Sequence, residues 1–317
     1  MTPIKLAIVV PCYNEEAVLP LSAKELLAIL DRLIEDGKIA HDSFILCCDD
    51  GSKDATWAVI NSLHRKDNRI KGIALAHNRG HQNALLAGLM SVRGKCDAAV
   101  SIDADLQDDP AAIIEMVDKF ISGKEIVYGV RNKRDTDTWF KRTTARLFYR
   151  FQQLMGVNAI ADHADFRLMS SRAIDLLADY SESNLYLRGI VPMIGLDNAI
   201  VTYERHARAA GESKYPLSKM LSFSIDGITS FSAKPMRMVF FVGFALLIID
   251  LLVAIYVIAS ILFSDHLEAG WASLIISVWF LGSLILMAIG IVGEYIGKIF
   301  IEVKQRPRYA IRDILFD

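Results

Sequence analysis

Carboxylate and amide side chains are concentrated between Ser101 and Pro110. A β-strand alternates its faces, so Asp103 and Asp105 are predicted to point the same way where a strand ends. Two such carboxylates repel each other unless a cation lies between them, and hard oxygen ligands favour Mg²⁺ or Mn²⁺. Gln107 offers a further carbonyl oxygen. The spacing therefore predicts a divalent-metal site, where the ion would bridge the phosphates of a nucleotide.

A structural interpretation of the same acids is that they cap a helix opening at Pro110. This accounts for Asp108 or Asp109, which directly precede the proline. It accounts poorly for Asp103, which lies seven residues before it. The metal interpretation is therefore favoured.

Two polar turns are predicted earlier in the chain, each after an apolar strand. In the first, the ring of Tyr13 would pack against a base while Glu15 accepts hydrogen bonds from a base or a ribose, and in the second Asp50 would accept them too. The structural alternative is that Asp49 or Asp50 forms an Asx turn and Asp54 caps the next helix. The sequence contains neither Gly-x-Gly-x-x-Gly nor Gly-x4-Gly-Lys-Ser/Thr, so it indicates neither a dinucleotide site nor a P-loop.

Basic side chains follow two other predicted strands. Arg79 lies in Asn-Arg-Gly-His after the third strand, and Arg131 lies in Gly-Val-Arg-Asn-Lys-Arg after the fifth. Because a guanidinium group pairs well with phosphate oxygens, both arginines are candidates for binding a diphosphate. The neighbouring Lys133 and Arg134 are better explained as solvated surface charges.

A last polar cluster, Asp-His-Ala-Asp-Phe-Arg-Leu, begins at Asp162 and is predicted to precede a helix. The cluster places two carboxylates, Asp162 and Asp165, beside an imidazole and an arginine. The structural alternative is that Asp162 is the N-cap of the helix.

Alternating strands and helices position these clusters. The pattern continues over about 130 residues, which predicts an α/β fold: a mainly parallel, Rossmann-like sheet with helices on both faces, and ligands beyond the carboxyl ends of its strands. The predicted strands are Ile4–Val10, Phe44–Cys48, Ile70–Leu75, Ala98–Ile102 and Glu125–Tyr128, and the predicted helices are Ala17–Ile34, Asp54–Leu63, His81–Val92 and Pro110–Ile121.

The composition places part of the chain in lipid. Hydrophobic residues make up 53% of the sequence and the mean hydropathy is +0.31, yet 23% of residues are charged. Val239–Phe263 and Trp271–Gly293 are each long enough to cross a bilayer, at about 1.5 Å per residue. They predict a transmembrane helical hairpin. Asp250 inside the first span is a candidate for a helix-helix hydrogen bond or a subunit contact.

Basic residues flank this hairpin on the side of both termini, which predicts a cytoplasmic catalytic region and tail. The expected divisions are 1–214 for the catalytic domain, 215–235 for interfacial amphipathic helices, 236–298 for the two spans and 299–317 for the tail. The inner membrane is therefore the expected location. A glycine spacing of GxxxG at Gly293 and Gly297 favours a homo-oligomer such as a tetramer.

Further basic residues, Arg205, Arg208 and Lys214, lie just before the interfacial segment. Thirty-five basic against 37 acidic residues give a net charge of −2, which argues against nucleic-acid binding through bulk positive charge. The four cysteines show neither metal-ligand nor Cys-x-x-Cys spacing, so reduced, buried thiols are expected.

Taken together, the motifs resemble those of the family 2 glycosyltransferases of the GT-A fold. The likeness is to the bacterial polyisoprenyl-phosphate glycosyltransferases, of the bactoprenol glucosyltransferase type and related to dolichyl-phosphate mannose synthase. The motifs that carry it are Pro11-Cys-Tyr-Asn-Glu-Glu16, Asp49-Asp-Gly-Ser52, Asn78-Arg-Gly80, Asp103-Ala-Asp-Leu-Gln107, Asp165-Phe-Arg-Leu168 and the C-terminal hairpin.

The resemblance implies roles for particular residues. Pro11, Tyr13, Glu15 and Asp50 would hold the nucleotide. Asp103, Asp105 and Gln107 would hold Mg²⁺ or Mn²⁺, and Arg131 would contact a phosphate.

The activity implied is inverting transfer of a hexose, glucose from UDP-glucose first among them, to undecaprenyl phosphate or a similar polyprenyl phosphate. Arg205, Arg208 and Lys214 would then meet the phosphate of this lipid acceptor. Asp165 or Asp162 would position the acceptor or take a proton from it, although an aspartate repels a phosphate unless a cation intervenes. Mannose or N-acetylglucosamine is the alternative sugar. No Gln-x-x-Arg-Trp sequence is present, which favours a single transfer over chain elongation. The alternative of another class is a membrane-tethered sensor or scaffold that binds a nucleotide sugar without transferring it.

Overall fold

The computed structural model describes residues 3–105, 107–131, 163–182, 186–204, 234–263 and 270–316. These residues belong to two compact units. The first contains a β-sheet with its helices and includes the C-terminal residues from Arg306 onward, and the second contains two long apolar helices.

The predicted alternation of strands and helices is confirmed in the first 131 residues. Two elements, Ile70–Leu75 and His81–Val92, have the predicted bounds, and the other ends differ by a few residues. In chain order the elements are β1 (Leu6–Cys12), α1 (Leu19–Glu35), β2 (Phe44–Asp49), α2 (Thr56–Lys66), β3 (Ile70–Leu75), α3 (His81–Val92), β4 (Ala98–Ser101), α4 (Ala112–Ile121) and β5 (Ile126–Arg131).

The described residues that follow complete one eight-stranded sheet. They form β6 (His163–Ser170), α5 (Ser171–Ala178), α6 (Leu187–Met193), β7 (Asn198–Tyr203) and, near the C-terminus, β8 (Ile311–Leu315). The strand order is β7-β5-β6-β4-β1-β2-β3-β8. The pairs β1-β2, β1-β4, β2-β3 and β5-β7 are parallel, whereas β6 and β8 run antiparallel to their neighbours. The expected mainly parallel sheet is therefore confirmed.

Strand β6 replaces the turn expected before a helix. The cluster from His163 onward is extended and lies between β4 and β5, and the next helix begins at Ser171. Ser170 is its N-cap, because the hydroxyl oxygen accepts a hydrogen bond from the backbone N–H of Ala173 at 2.9 Å. The alternative that Asp162 is the N-cap of this helix is therefore wrong, because the helix begins at Ser171. Asp162 itself lies outside the described residues.

The core of the sheet unit is built from strands that are apolar on both faces. Every residue of β1 and β2 is buried, as the central strands of a covered parallel sheet should be. Helix α3 approaches β1 and β2 closely at Gly88, where a side chain would collide with Val9 and the Cys48 sulfur. All four cysteines are buried free thiols, as expected.

The C-terminal residues form an edge strand, which the sequence analysis expected only as a tail. Strand β8 pairs with β3 from Gly72 to Leu75. The side chain of Leu315 lies over Gly72, beside Trp57. The ring of Phe316 packs edge-on against Phe44, with centroids 5.9 Å apart, so the last residues of the chain are part of the sheet unit.

The second unit contains α7 (Lys234–Phe263) and α8 (Trp271–Lys304). Large apolar side chains on both are exposed, including Phe240 at 68% and Trp279 at 75%. In the described part of the chain one segment, Ser277–Lys304, meets the length and hydropathy expected of a membrane-spanning helix. The predicted interfacial segment 215–235 lies outside the described residues as far as residue 233.

We expect Gly88→Ala to lower the free energy of unfolding by about 1–3 kcal/mol, because the added methyl group overpacks the contact of α3 with β1 and β2. Thermal unfolding of the purified protein measures the change. Ser91→Ala, on the same helix, is the matched control and should unfold close to the wild type. A Gly88→Ala variant as stable as the wild type would contradict this view of the packing.

Candidate active site

The two turns predicted to hold a nucleoside form one hydrogen-bonded unit. The backbone N–H of Asn14 donates to the hydroxyl of Ser52 at 2.9 Å, and the N–H of Lys53 donates back to the Asn14 side-chain oxygen at 2.9 Å. The N–H of Glu15 donates to the Thr56 hydroxyl at 2.9 Å. Tyr13, at the tip of the first turn, is 40% exposed, so its ring is available to a ligand. Pro11 is buried at the end of β1, directly before this unit.

Asp50 is almost fully buried, and its carboxylate holds another loop. Its two oxygens accept hydrogen bonds from the backbone N–H groups of Arg79 at 2.7 Å and Gly80 at 2.8 Å. Burial raises the pKa of Asp50, and these two hydrogen bonds oppose the rise. Asp50 therefore fixes the backbone that carries the exposed Arg79, a role the sequence analysis did not assign. Neighbouring Asp49 forms the turn considered as an alternative, accepting from the Ser52 N–H at 3.1 Å.

The predicted metal ligands lie in the turn after β4, which ends at Ser101. Strand alternation consequently does not apply to Asp103 and Asp105, contrary to the reasoning from the sequence. The turn is fixed by other contacts: the backbone N–H of Gln107 donates to the Asp105 carboxylate at 3.2 Å, and the Ser22 hydroxyl donates to the carbonyl oxygen of Ala104 at 2.5 Å.

Negative charge accumulates around Asp103. Partial burial raises the pKa of its carboxyl, and the carboxylates of Asp165, Asp108 and Asp105 raise it further, while His81 lowers it. Such a set of oxygen donors fits a hard divalent cation. The described residues contain no group of three or more acidic, histidine or cysteine side chains arranged to hold a metal alone. A Mg²⁺-type site with two carboxylates, water and substrate phosphates needs no such group.

Arg131 is held in place by two side chains that the sequence analysis did not connect with it. Its guanidinium lies 3.1 Å from the buried carboxylate of Asp108, and its Nε donates to the Tyr203 hydroxyl at 3.3 Å. The Tyr203 hydroxyl in turn donates to Asp108 at 2.8 Å. Arg131 and Tyr203 are paired across β5 and β7, at the carboxyl ends of both strands. Asp109, in contrast, accepts from the Ala111 N–H at 2.9 Å in the turn before α4. The N-cap of α4 is Ala111, and within the described residues no side chain caps the helix, so the capping interpretation is wrong for both Asp108 and Asp109.

Asp165 lies at the same edge of the sheet, because β6 runs antiparallel to β4 and its first half meets the end of β4. One oxygen accepts from Arg167 at 2.7 Å, and the other lies 3.1 Å from Arg188 and 3.4 Å from His81. Burial alone would raise the pKa of Asp165. The hydrogen bond from His81 and the charges of Arg188 and Arg167 hold that pKa well below its usual range.

The structure therefore brings most of the predicted residues to one edge of the sheet. Arg205, Arg208 and Lys214, like Asp162, lie outside the described residues. Tyr203 and Arg188 were missed, and so were two partner roles: that of Asp108 with Arg131 and that of His81 with Asp165. His81 stood in a motif already singled out. Tyr203 and Arg188 belong to no recognisable motif, and only their contacts reveal them.

Comparisons with known proteins show the family of this chain. The sequence profile described as Glycosyl transferase family 2 matches residues 7–177. The glycosyltransferase YkoT of Bacillus subtilis is 54% identical over 306 residues, covering 96% of this chain and 90% of that protein. The SfII prophage-derived bactoprenol glucosyl transferase of Shigella flexneri is 36% identical over 310 residues, covering 98% of both. Mannosyl-3-phosphoglycerate synthase from Rubrobacter xylanophilus superposes with a TM-score of 0.49 at 17% identity, covering 74% of each chain.

The profile matches more than half of the chain, from β1 into α5, and the two relatives extend the match to nearly its whole length. The resemblance inferred from the motifs is confirmed. This chain has the GT-A fold and belongs to glycosyl transferase family 2.

Proposed function

We propose that this protein transfers a hexose, glucose from UDP-glucose first among them, to a polyprenyl phosphate, with inversion at the anomeric carbon. The observation that carries the proposal is the convergence of Asp103, Asp105 and Arg131 at the carboxyl edge of the sheet, beside the turns that carry Tyr13 and Asp50. A relative that is 36% identical over nearly the full length is a bactoprenol glucosyl transferase, and this supports the lipid acceptor.

Each group at this edge has a distinct task in such a transfer. Tyr13 would pack against the base, while the backbone fixed by Asp50 would present Arg79 to the diphosphate. Asp103 and Asp105, with Gln107 beside them, would hold Mg²⁺ or Mn²⁺, and when bound the ion supplies positive charge to the departing diphosphate. Arg131 adds a fixed guanidinium, which stabilises the charge that develops as the glycosyl C–O bond breaks.

The nucleophile in this proposal is an oxygen of the acceptor phosphate. A phosphate monoester with a second pKa near 6 is mostly dianionic at pH 7, so it needs no strong general base. Asp165 would be a weak base in any event, because its carboxylate is already bound by Arg167 and Arg188. We therefore assign Asp165 the task of orienting its partners.

The membrane arrangement completes the proposal. We infer that α7 and α8 both span the inner membrane, with the sheet unit and the C-terminus in the cytoplasm. The exposed apolar side chains of both helices support contact with lipid. Arg205, Arg208 and Lys214 are proposed to meet the acceptor near the bilayer surface, with residues 215–235 as interfacial helices. Assembly into a homo-oligomer through the glycine spacing in α8 is part of the same proposal.

We expect Asp105→Ala to lower turnover by about 100-fold or more, because charge on the leaving diphosphate would lose its stabilising ion. The assay uses detergent-purified protein, Mn²⁺, undecaprenyl phosphate and labelled UDP-glucose, with extraction of the lipid product. Asp118→Ala, which removes an exposed carboxylate paired with Lys38, is the matched control and should stay fully active. Full activity of Asp105→Ala in the presence of a chelator would refute the metal assignment. Saturable UDP binding without any labelled lipid, over a screen of sugar donors, would favour a sensor or scaffold.

We expect Tyr203→Phe to lower kcat by about three- to tenfold with little change in either KM, because Arg131 loses one of the two groups that hold it. The ring, packed 5.2 Å from that of Phe166, is retained, so the unfolding temperature should remain close to that of the wild type. Steady-state kinetics of this variant and of Tyr180→Phe, a tyrosine outside the site, provide the comparison. An unchanged kcat would show that Arg131 does not depend on Tyr203.

A further inference from the structure

We propose that Arg188 binds the phosphate of the acceptor, in addition to the contacts proposed above for Arg205, Arg208 and Lys214, and that Asp165 is the positioning residue that holds Arg188 there. This inference rests on the proposed transfer to a lipid phosphate. It assigns to the described part of the chain an acceptor contact that no motif indicated.

Asp165 accepts hydrogen bonds from only part of the Arg188 guanidinium. Its Nε and one terminal nitrogen donate to the two oxygens of Asp165, at 3.3 Å and 3.1 Å. The remaining N–H groups of the guanidinium have no hydrogen-bond partner in the described part of the chain, and the side chain is 41% exposed. A guanidinium held on one side and open on the other can bind a phosphate through the open side.

The sharing of Asp165 between two arginines also leaves Arg188 open to an anion. Asp165 carries one negative charge and faces two guanidinium groups, those of Arg167 and Arg188. Arg167 is almost fully buried and makes the shorter contact, 2.7 Å, so it takes the larger share of that negative charge. Asp165 consequently compensates the positive charge of Arg188 only in part, and the other carboxylate acting on Arg188 is that of Asp103, one of the proposed metal ligands.

The order of the strands places Arg188 next to the metal ligands, on the side away from the nucleoside turns. The proposed nucleoside contacts follow β1 and β2, the proposed metal ligands follow β4, and Asp165 lies on β6. Arg131, proposed above for the diphosphate, ends β5 on the far side of β6, so Asp165 and Arg188 lie between two of the groups assigned to the donor phosphates. The acceptor oxygen must approach the anomeric carbon beside that diphosphate, and this is where Asp165 holds Arg188.

The backbone next to Arg188 is fixed independently of any ligand. The N–H of Leu187 donates to the side-chain oxygen of Gln82 in α3 at 3.0 Å, and the carbonyl oxygen of Leu187 accepts from Arg167 at 3.2 Å. Arg188 is therefore held from two directions before a substrate arrives. Such preorganisation reduces the entropy lost when the phosphate binds.

The test compares Arg188→Gln with Arg93→Gln, in full-length protein purified in detergent. Arg93 is the matched control because it is similarly exposed, pairs with Asp175 at 2.6 Å and lies outside the site. We expect Arg188→Gln to raise the KM for undecaprenyl phosphate at least tenfold while the KM for the UDP-sugar changes less than twofold. Arg188→Lys should recover part of the loss, and Arg93→Gln should behave as the wild type.

A rise confined to the KM of the UDP-sugar would overturn the proposal, because Arg188 would then bind the donor diphosphate. Unchanged values of both constants would overturn it as well.

Equilibrium binding of undecaprenyl phosphate and undecaprenol, each in detergent micelles, provides a readout that needs no turnover. The wild type should prefer the phosphate and Arg188→Gln should lose that preference. If the wild type forms no sugar-lipid but shows this difference, the transfer proposal fails and the phosphate site stands. If the preference is the same in both proteins, the phosphate site fails.

Discussion

Mutual repulsion of carboxylates is the constraint around which the site is built. Asp103, Asp105, Asp108 and Asp165 lie within electrostatic reach of one another, and three of them raise the pKa of the fourth, Asp103. The fold offsets part of this repulsion with arginines. Arg131 pairs with Asp108, and Arg167 and Arg188 pair with Asp165. Within the described residues, the ion pairing of Asp103 is to His81 alone, so the remaining excess of negative charge is the feature that calls for a divalent ion.

The same ion pairs depend on the order and direction of the strands in the sheet. Because β6 is antiparallel and lies between β4 and β5, Asp165 reaches the carboxyl edge that the parallel strands create. The part of the site proposed to bind the nucleotide depends on a second contact between residues far apart in the sequence. Strand β3 is bordered by β8, and the Ala76 N–H donates to the carbonyl oxygen of Ala310 at 2.8 Å, just before the loop whose backbone Asp50 holds. Residues that follow α8 in the sequence thus support the part of the site built from the first 80 residues.

Sequence reasoning predicted those features that local patterns encode. Helix α3 and strand β3 were located correctly because each is a mostly apolar run that is buried in the sheet unit. Strand β6 was missed because Asp165 and Arg167 make its sequence resemble a polar turn. Both side chains are buried, and their ion pair offsets the free-energy cost of removing the two charges from water. Strand β8 is five residues long and mostly exposed, so its pairing with β3 has no local signal. Asp108 and Tyr203 are 95 residues apart in the sequence. The pairing of the strands brings them together, and no local sequence pattern encodes that pairing.

The measurement that tests the central claim most directly is Mn²⁺ binding to the purified protein in the presence of UDP, followed by the electron paramagnetic resonance signal of the free ion. The account predicts one bound Mn²⁺ per chain for the wild type, with that binding abolished when Asp103 and Asp105 are both changed to asparagine. Unchanged Mn²⁺ binding in the doubly substituted protein would contradict the account.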